Sequence, residues 1–295
     1  MKVYFVLLAM MLAFTPGYVH GQSADTGAIR IMTWNIKMLP RIFRYIHHKP
    51  VQRAKLIPRY IIAENTDVVL LQEAFDDRCY HILKRKLRKT YPYVLGPVNK
   101  EAGTIFSGGA MIFSKTPLKK LEQIRFSSCS GNDCWARKGA LLAATTIRGQ
   151  KIQVMSTHIQ AGGIPRIHID QFAQIAAMLQ RHAEPGVPQI LGGDYNTFRT
   201  DTVLYPAMLD MLKAEDGPIS GDMHYTSDDV VCDMSENYCK VLLHPEQDII
   251  DYILYKPNGR PYRDISRHIF RYTTPWDLEH QDLSDHMTLI MDLKL

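Results

Sequence analysis

Residues 67–76 read Asp-Val-Val-Leu-Leu-Gln-Glu-Ala-Phe-Asp, so an acidic side chain, Glu73, follows closely on four consecutive apolar residues. A short apolar run bounded by polar residues predicts a strand that is buried on both faces. A carboxylate at the end of such a strand is costly unless it finds a partner, and a divalent cation is a suitable one. A surface carboxylate just past the strand is an equally good interpretation of this motif alone.

Five further polar motifs stand next to strand-like segments. Four of them follow such a segment, and the fifth, Ser-Asp-His, precedes residues 287–293. The residues of interest in these motifs are Asn35, His158, Asp194, Asn196, Asp251, Asp285 and His286. Taken singly, an asparagine here is a turn residue and a histidine is structural. Strand ends deliver side chains to a common edge, however, and together this set of acids, amides and imidazoles indicates metal-assisted attack on a phosphate.

The pattern of apolar residues predicts more strands than helices. Helices are expected at residues 51–64, interrupted by Pro58, and at 78–90 and 168–182. Residues 140–147 and 151–156 form a predicted hairpin that turns at Arg148-Gly149-Gln150. Frequent hairpins disfavour a regular parallel βαβ fold and indicate a mixed α/β sandwich.

The N-terminus predicts a secretory signal peptide over residues 1–21. Lys2 precedes an apolar stretch at residues 3–14, and small residues follow around Gly21 and Ala24. An uncleaved anchor is the alternative, although the apolar run is shorter than the roughly 20 residues that span a bilayer. With no linker or repeat, and with motifs at both ends of one chain of 295 residues, we expect one catalytic domain over residues 22–295, secreted to the extracellular space or periplasm.

Export would permit disulfides among the five cysteines. Cys129 and Cys134 bracket turn residues, and Cys232 and Cys239 bracket a polar loop. We predict these two local pairs and expect Cys79 to stay outside a disulfide, although sequence alone does not fix the connectivity. A zinc site is disfavoured because no CxxC spacing occurs.

The formal net charge is +5, and part of the excess lies in the basic run at residues 84–89. Such a run attracts an anionic surface, either nucleic acid or membrane. A solvated helix face is at least as good an interpretation.

Together the motifs resemble the endonuclease/exonuclease/phosphatase superfamily, which has the DNase I-like fold, over essentially the whole mature chain. The resemblance implies a four-layer α/β/β/α sandwich of two mixed β-sheets. It also implies that Glu73, with Asn35 beside it, binds Mg²⁺, for which Mn²⁺ or Co²⁺ are substitutes. His286 resembles the general base of the family, with Asp285 as its companion.

The resemblance gives roles to the remaining polar residues as well. His158 is similar to the residue that stabilises the transferring phosphoryl group, with Asp251 orienting it. Asp194 and Asn196 resemble the pair that contacts the phosphate and the attacking nucleophile.

Three strings resemble the secreted, bacterial-type neutral sphingomyelinases within that superfamily. They are Gln-Glu-Ala-Phe-Asp at residues 72–76, Thr-His-Ile-Gln-Ala at 157–161 and Arg-Lys-Gly at 137–139. The resemblance places Lys138 and Phe75 near the substrate, although a hairpin-edge lysine is an equal alternative for Lys138. It implies a phosphodiester hydrolase that converts membrane sphingomyelin to ceramide and phosphocholine, with neither a nucleic acid nor an obligate protein partner.

One departure concerns the membrane. Sphingomyelinases of this type often carry a long aromatic-tipped hairpin before Ser-Asp-His, whereas residues 256–281 here are compact, which leaves Trp276 or Tyr272 as candidates for interfacial contact. Two alternatives stay open. One is a secreted DNase I-like nuclease, which the basic runs would suit, and the other is a catalytically inactive protein that binds lipid surfaces.

Overall fold

The computed structural model describes residues 27–40, 49–101, 106–162, 165–228, 247–278 and 280–295. In this part of the chain a six-stranded sheet begins at one edge with β12 (Asp264–Phe270) and β13 (Thr288–Lys294). It continues through β1 (Ile29–Asn35), β2 (Val68–Gln72), β4 (Met111–Ser114) and β3 (Tyr93–Leu95). β1 and β2 are parallel and the other pairs are antiparallel, so the sheet is mixed.

A second sheet of five strands lies against the first in the described part of the chain. Its order is β11 (Asp251–Lys256), β8 (Gln189–Asp194), β7 (Gln150–His158), β6 (Gly139–Ile147) and β5 (Lys119–Arg125). Only β7 and β8 are parallel among these pairs. Two short strands, β9 (Ser227–Asp228) and β10 (Gln247–Asp248), form a separate ribbon.

Burial on both faces of the sheets produces four layers. Inward-facing residues such as Leu70 and Val154 belong to one apolar cluster, which also takes in residues of α3 (Pro165–Arg181) and α4 (Leu204–Leu212). The opposite face of the first sheet packs with α1 (Pro50–Glu64) and α2 (Asp77–Leu87) in a second cluster. The expected α/β/β/α sandwich of two mixed sheets is therefore confirmed.

The predicted break at Pro58 is wrong, because α1 runs without interruption through that residue. Proline lacks an N–H and costs about 3 kcal/mol inside a helix. Pro58, Ile57 and Ile61 are all buried, so packing against the sheet offsets that cost.

The hairpin prediction is confirmed, since β6 and β7 are antiparallel neighbours and Arg148 and Gly149 both have positive φ, 48° and 75°. Two such residues are what the tightest hairpin turns need. The segment just before Asp251, which the motif pattern takes as strand-like, is not a strand at residues 249–250. The backbone N–H groups of Ile250 and Asp251 both donate to Thr226 Oγ1, and β11 starts at Asp251.

The disulfide between Cys129 and Cys134 is present, with the Cα atoms 5.2 Å apart. Cys79 is buried in α2 and forms no disulfide with any other described cysteine. Cys232, Cys239 and the predicted signal peptide lie outside the described residues. Within those residues, no helix has the length and apolar character that crossing a membrane requires.

Trp276 and Tyr272 are not surface aromatics, so the expectation that they contact a membrane is wrong. Both are buried. The indole N–H of Trp276 donates to the Asp282 carbonyl at 2.7 Å, and the Tyr272 hydroxyl donates to Glu64 at 2.6 Å. The loop that carries them folds back onto the sheet and α1.

Candidate active site

The predicted site residues meet at one edge of the two packed sheets. Asn35 ends β1, Glu73 follows β2, His158 ends β7, Asp194 ends β8 and Asp251 begins β11. Asp251 pairs with Asp194 across antiparallel strands, and His158 pairs with Asp194 across parallel ones. The register of the strands therefore fixes which side chains become neighbours.

Asn35 joins the two sheets at the centre of the site. Its amide nitrogen donates to Glu73 Oε1 and to Asp194 Oδ2, both at 2.9 Å, while its oxygen accepts the backbone N–H of Lys37 at 3.1 Å. The orientation of an amide is assigned from such contacts. In this arrangement the amide nitrogen of Asn35 holds the two carboxylates together. The amide would have to rotate before its oxygen could bind a cation that lies between them.

Glu73 lies on a strained backbone. Its φ of 57° is in the left-handed region, which costs a residue other than glycine about 1 to 3 kcal/mol when the surroundings enforce it. Burial and the neighbouring Asp285 raise the pKa of the Glu73 carboxyl, against the opposing effects of Asn35 and Lys37. The structure therefore holds a carboxylate where its charge is poorly compensated.

His286 is bonded to Asp251, and the expected pairing with Asp285 is wrong. The ring Nδ1 lies 2.8 Å from Asp251 Oδ2, while Nε2 lies 3.8 Å from Asp194 Oδ2 and 3.5 Å from the Asn35 amide nitrogen. Burial would lower the pKa of His286, but Asp251 and Asp194 outweigh it and raise that pKa well above the usual value. One ring nitrogen is thus anchored and the other faces the centre of the site.

Asp285 forms an ion pair with Lys37, whose Nζ lies 2.5 Å from its Oδ2. The side chains of Asp285 and His286 therefore have different partners, Lys37 and Asp251. Burial acts to raise the pKa of Asp285, but Lys37 and His286 outweigh it and lower that pKa. Lys37 carries no motif signal, and sequence reasoning missed it.

His158 is bonded to Lys138, and the expectation that Asp251 orients it is wrong. Lys138 Nζ lies 2.9 Å from His158 Nε2, 2.9 Å from the Ile159 carbonyl and 2.7 Å from Asp133 Oδ2. Burial, then Lys138 and His286, lower the pKa of His158 well below its usual value. His158 is therefore neutral, and its Nε2 accepts a hydrogen bond from the buried Lys138.

Asp133 is a second residue that sequence reasoning missed. It lies between the two cysteines of the predicted disulfide loop, and that position was its only signal. Its carboxylate also accepts the backbone N–H of Ala161. Asp133 therefore ties the loop to both Lys138 and the chain after His158.

Asp194 and Asn196 lie together as expected. Asp194 Oδ1 accepts the backbone N–H of Asn196 at 2.9 Å, and the Asn196 amide donates to the Ile159 carbonyl at 3.1 Å. Burial and Asp251 raise the pKa of Asp194 to about 6. A Cβ on Gly193 would lie 2.2 Å from the Thr157 carbonyl oxygen, so this glycine allows β8 to approach β7 at the site.

Phe75 forms part of the wall of the site. Its buried ring has its centroid 6.4 Å from that of His158. A Cβ on Gly109 would lie 2.7 Å from Cε1 of Phe75. The ring is therefore held between a glycine and His158, beside the residues expected to contact a phosphate.

The donor set fits a divalent cation. Ligand atoms of Glu73, His158 and Asp194 all lie within 4.8 Å of one another. The pKa values of both carboxyls are raised, because burial and neighbouring acids disfavour their charge. A cation between them would remove that cost, and carboxylate oxygens are the ligands that Mg²⁺ prefers.

Comparison with known proteins extends across most of the chain. The sequence profile of the Endonuclease/Exonuclease/phosphatase family matches residues 32–286. The chain is similar to a phospholipase C of Staphylococcus aureus, with 27% identity over 97% of this chain and 94% of that one. It is also similar to a sphingomyelinase C of Listeria ivanovii, with 26% identity over 97% and 93%.

The fold has close counterparts among solved structures. A beta toxin from Staphylococcus aureus with bound magnesium ions superposes with a TM-score of 0.77 and 23% identity, over 90% of this chain and 100% of that one. The predicted DNase I-like fold and the predicted class of enzyme, a phosphodiester hydrolase, are confirmed. With its two-sheet scaffold and its site at the common edge, the chain belongs to the endonuclease/exonuclease/phosphatase family.

Proposed function

We propose that this chain is a secreted, Mg²⁺-dependent phosphodiesterase that hydrolyses sphingomyelin to ceramide and phosphocholine. The observation that carries the proposal is the orientation of His286, which is anchored to Asp251 at 2.8 Å while its other nitrogen faces Asn35 and Asp194. The names of the similar proteins, a sphingomyelinase C and a phospholipase C, support the choice of substrate. Residues 22–295 would form the catalytic domain after loss of residues 1–21.

His286 is the proposed general base. Its Nδ1 is held 2.8 Å from Asp251 Oδ2, so that in the neutral ring the proton lies on Nδ1 and the lone pair on Nε2. That nitrogen takes a proton from the water that attacks phosphorus in line with the ceramide oxygen. As the new P–O bond forms, the P–O bond to ceramide breaks, and the ceramide oxygen takes a proton from solvent water. Anchoring of the ring in one orientation reduces the reorganisation needed at the moment of proton transfer.

Lys138, His158 and Asn196 are proposed to stabilise the phosphoryl oxygens. Lys138 is buried and already bonded to His158, so its charge acts in a poorly solvated environment where it is worth more than in water. Asn196 reaches the same Ile159 carbonyl as Lys138, which places its amide on the same side of the site. Phe75 closes the wall behind them.

Glu73 would hold the magnesium ion, and Asn35 would join it once its amide has rotated. When bound, the ion supplies positive charge against the charge that develops on the phosphodiester oxygens. The strained backbone of Glu73 costs the folded protein some stability, and such strain supports a role in which the exact position of the carboxylate is needed for function.

The test is phosphocholine release from sphingomyelin vesicles by the mature protein, in Mg²⁺ and in EDTA. We expect release in Mg²⁺, none in EDTA, and at least about tenfold slower release from phosphatidylcholine vesicles, a factor that corresponds to about 1.4 kcal/mol. Plasmid DNA is incubated in parallel. Nicking of DNA without phosphocholine release would overturn the lipid substrate and assign the same site to a nuclease.

A further inference from the structure

Trp135 is an exposed aromatic residue at the rim of the site. It is 68% exposed and ends the 3₁₀ turn Gly131–Trp135, which the Cys129–Cys134 disulfide closes. The turn is fixed to the site, because Asp133 within it bonds Lys138 Nζ at 2.7 Å. The indole therefore projects from a rigid support that ends at the proposed catalytic residues.

Phe198 is a second exposed ring, on another loop that leads to the same place. It is 44% exposed and follows Asn196 by two residues. Lys138 Nζ and the Asn196 amide both donate to the Ile159 carbonyl, at 2.9 and 3.1 Å. The two segments that carry exposed rings thus converge on one carbonyl oxygen within the site.

Two of the charged side chains that follow Trp135 in sequence form ion pairs. Lys138 forms an ion pair with Asp133, and Arg137 forms one with Glu101 at 2.7 Å. Paired charges leave little net field for attracting an anionic surface. A rim of aromatic rings and compensated charge suits a surface that is itself zwitterionic, since indole rings favour the boundary between lipid and water.

We propose that Trp135 and Phe198 form a docking surface for a choline-phospholipid bilayer. The proposal rests on the proposed function for its choice of lipid, because a phosphodiester in a membrane is reached only if the mouth of the site lies against the membrane. The disulfide and the contacts of Asp133 order the turn before binding, so little conformational entropy is lost on docking.

The test measures vesicle binding in EDTA, where hydrolysis is stopped. The chain has three tryptophans, and Trp34 and Trp276 are buried, so a change in emission reports on Trp135. Phosphatidylcholine vesicles should shift the emission of the wild type to the blue, and Trp135→Ala should abolish the shift. In sedimentation with vesicles, Trp135→Ala with Phe198→Ala should bind about 10- to 100-fold more weakly, which is the effect of losing one or two buried rings.

Tyr93→Ala is the matched control. Tyr93 is 40% exposed and lies far from the site. It pairs with Ser114, and Ser114 pairs with Val68 at the start of β2, whereas Glu73 follows the other end of that strand. Its replacement should leave vesicle binding unchanged, and added salt should have little effect on the wild type. Wild-type binding by the double variant, equal loss in Tyr93→Ala, or release of the protein by salt would each overturn the docking surface.

A water-soluble phosphocholine ester separates this proposal from the proposed function. In Mg²⁺, the ratio of vesicle hydrolysis to ester hydrolysis should fall about tenfold or more in the double variant, in line with its weaker binding. If the wild type hydrolyses neither vesicles nor the ester but still binds vesicles through Trp135, the proposed substrate is rejected and the docking surface is supported. An unchanged ratio with normal hydrolysis would reject the docking surface and support the substrate.

Discussion

Asp251→Asn tests whether Asp251 controls His286. The substitution replaces a carboxylate with a neutral amide of the same shape, at 2.8 Å from the ring Nδ1. A hydrogen bond to a charged group contributes about 1.5 to 3 kcal/mol, and 1.36 kcal/mol corresponds to one pH unit. We therefore expect the pKa of His286 in metal-free protein to fall by about 1 to 2 pH units, from a value that Asp251 and Asp194 hold well above the usual one against the opposing effect of burial.

The same substitution should slow hydrolysis by about 10²-fold or more, because a general base contributes about 10² to 10⁴ and depends on its orientation. NMR titration of the ring protons in EDTA gives the pKa of His286, and initial rates in Mg²⁺ give the change in the rate of hydrolysis. Asp285→Asn is the matched control, since it also removes one negative charge but no hydrogen bond to the ring. A larger effect of Asp285→Asn on the pKa of His286 would refute the assignment.

Protein stability gives an independent check with a defined sign. A histidine whose pKa is raised by folding stabilises the protein fully below its unfolded pKa of about 6.5, and this stabilisation is lost as the pH rises through the folded value. In EDTA, the unfolding free energy of the wild type should therefore be higher than that of Asp251→Asn, and the difference should be larger at pH 6 than at pH 10. Denaturant titrations at the two pH values measure the difference, and a difference that grows with pH would contradict the argument.

Three further substitutions test separate parts of the site. Glu73→Gln should not lower the melting temperature in EDTA, because burial and Asp285 disfavour the carboxylate, but it should abolish the gain of about 2.7 kcal/mol that Mg²⁺ at 100 times its Kd gives the wild type. Arg53→Ala should cost at least about 3 kcal/mol in denaturant titrations, since this buried guanidinium donates to three backbone carbonyls. Asp133→Asn should lower kcat about tenfold and should also lower the melting temperature, because the ion pair with Lys138 at 2.7 Å becomes a bond to a neutral amide and the buried lysine loses its counter-charge. An unchanged kcat would remove Asp133 from the site.

The edge of the sheets where the site lies could be predicted from the sequence, because apolar runs end at polar residues. A run such as residues 68–71 is buried whatever its neighbours are, so the position of Glu73 at a strand end follows from local pattern alone. The same holds for His158 and Asp194, which end β7 and β8. The hairpin at Arg148 and Gly149 was predictable for the same local reason.

The pairing of side chains within the site could not be predicted, because it depends on how distant segments meet. Asp251 and His286 are separated by 35 residues, and their contact requires β11 to lie antiparallel to β8 with Asp251 opposite Asp194. Adjacent residues in sequence gave the wrong partner for His286. Trp276 and Tyr272 were misplaced for a similar reason, since only the fold of their loop onto α1 and the sheet shows that they are buried.

The Ser-Asp-His motif acts as a clamp on β1 as well as a source of the base. Each of its residues is bonded to the end of that strand or to the residues just after it: Ser284 to the Asn35 carbonyl at 2.6 Å, Asp285 to Lys37 at 2.5 Å, and the His286 carbonyl to the Trp34 indole at 3.0 Å. Asn35 in turn holds the carboxylates of both sheets. The position of the proposed base and that of the proposed metal ligands are therefore set by the same few bonds, so a change in Asp285 acts on catalysis through the geometry of β1.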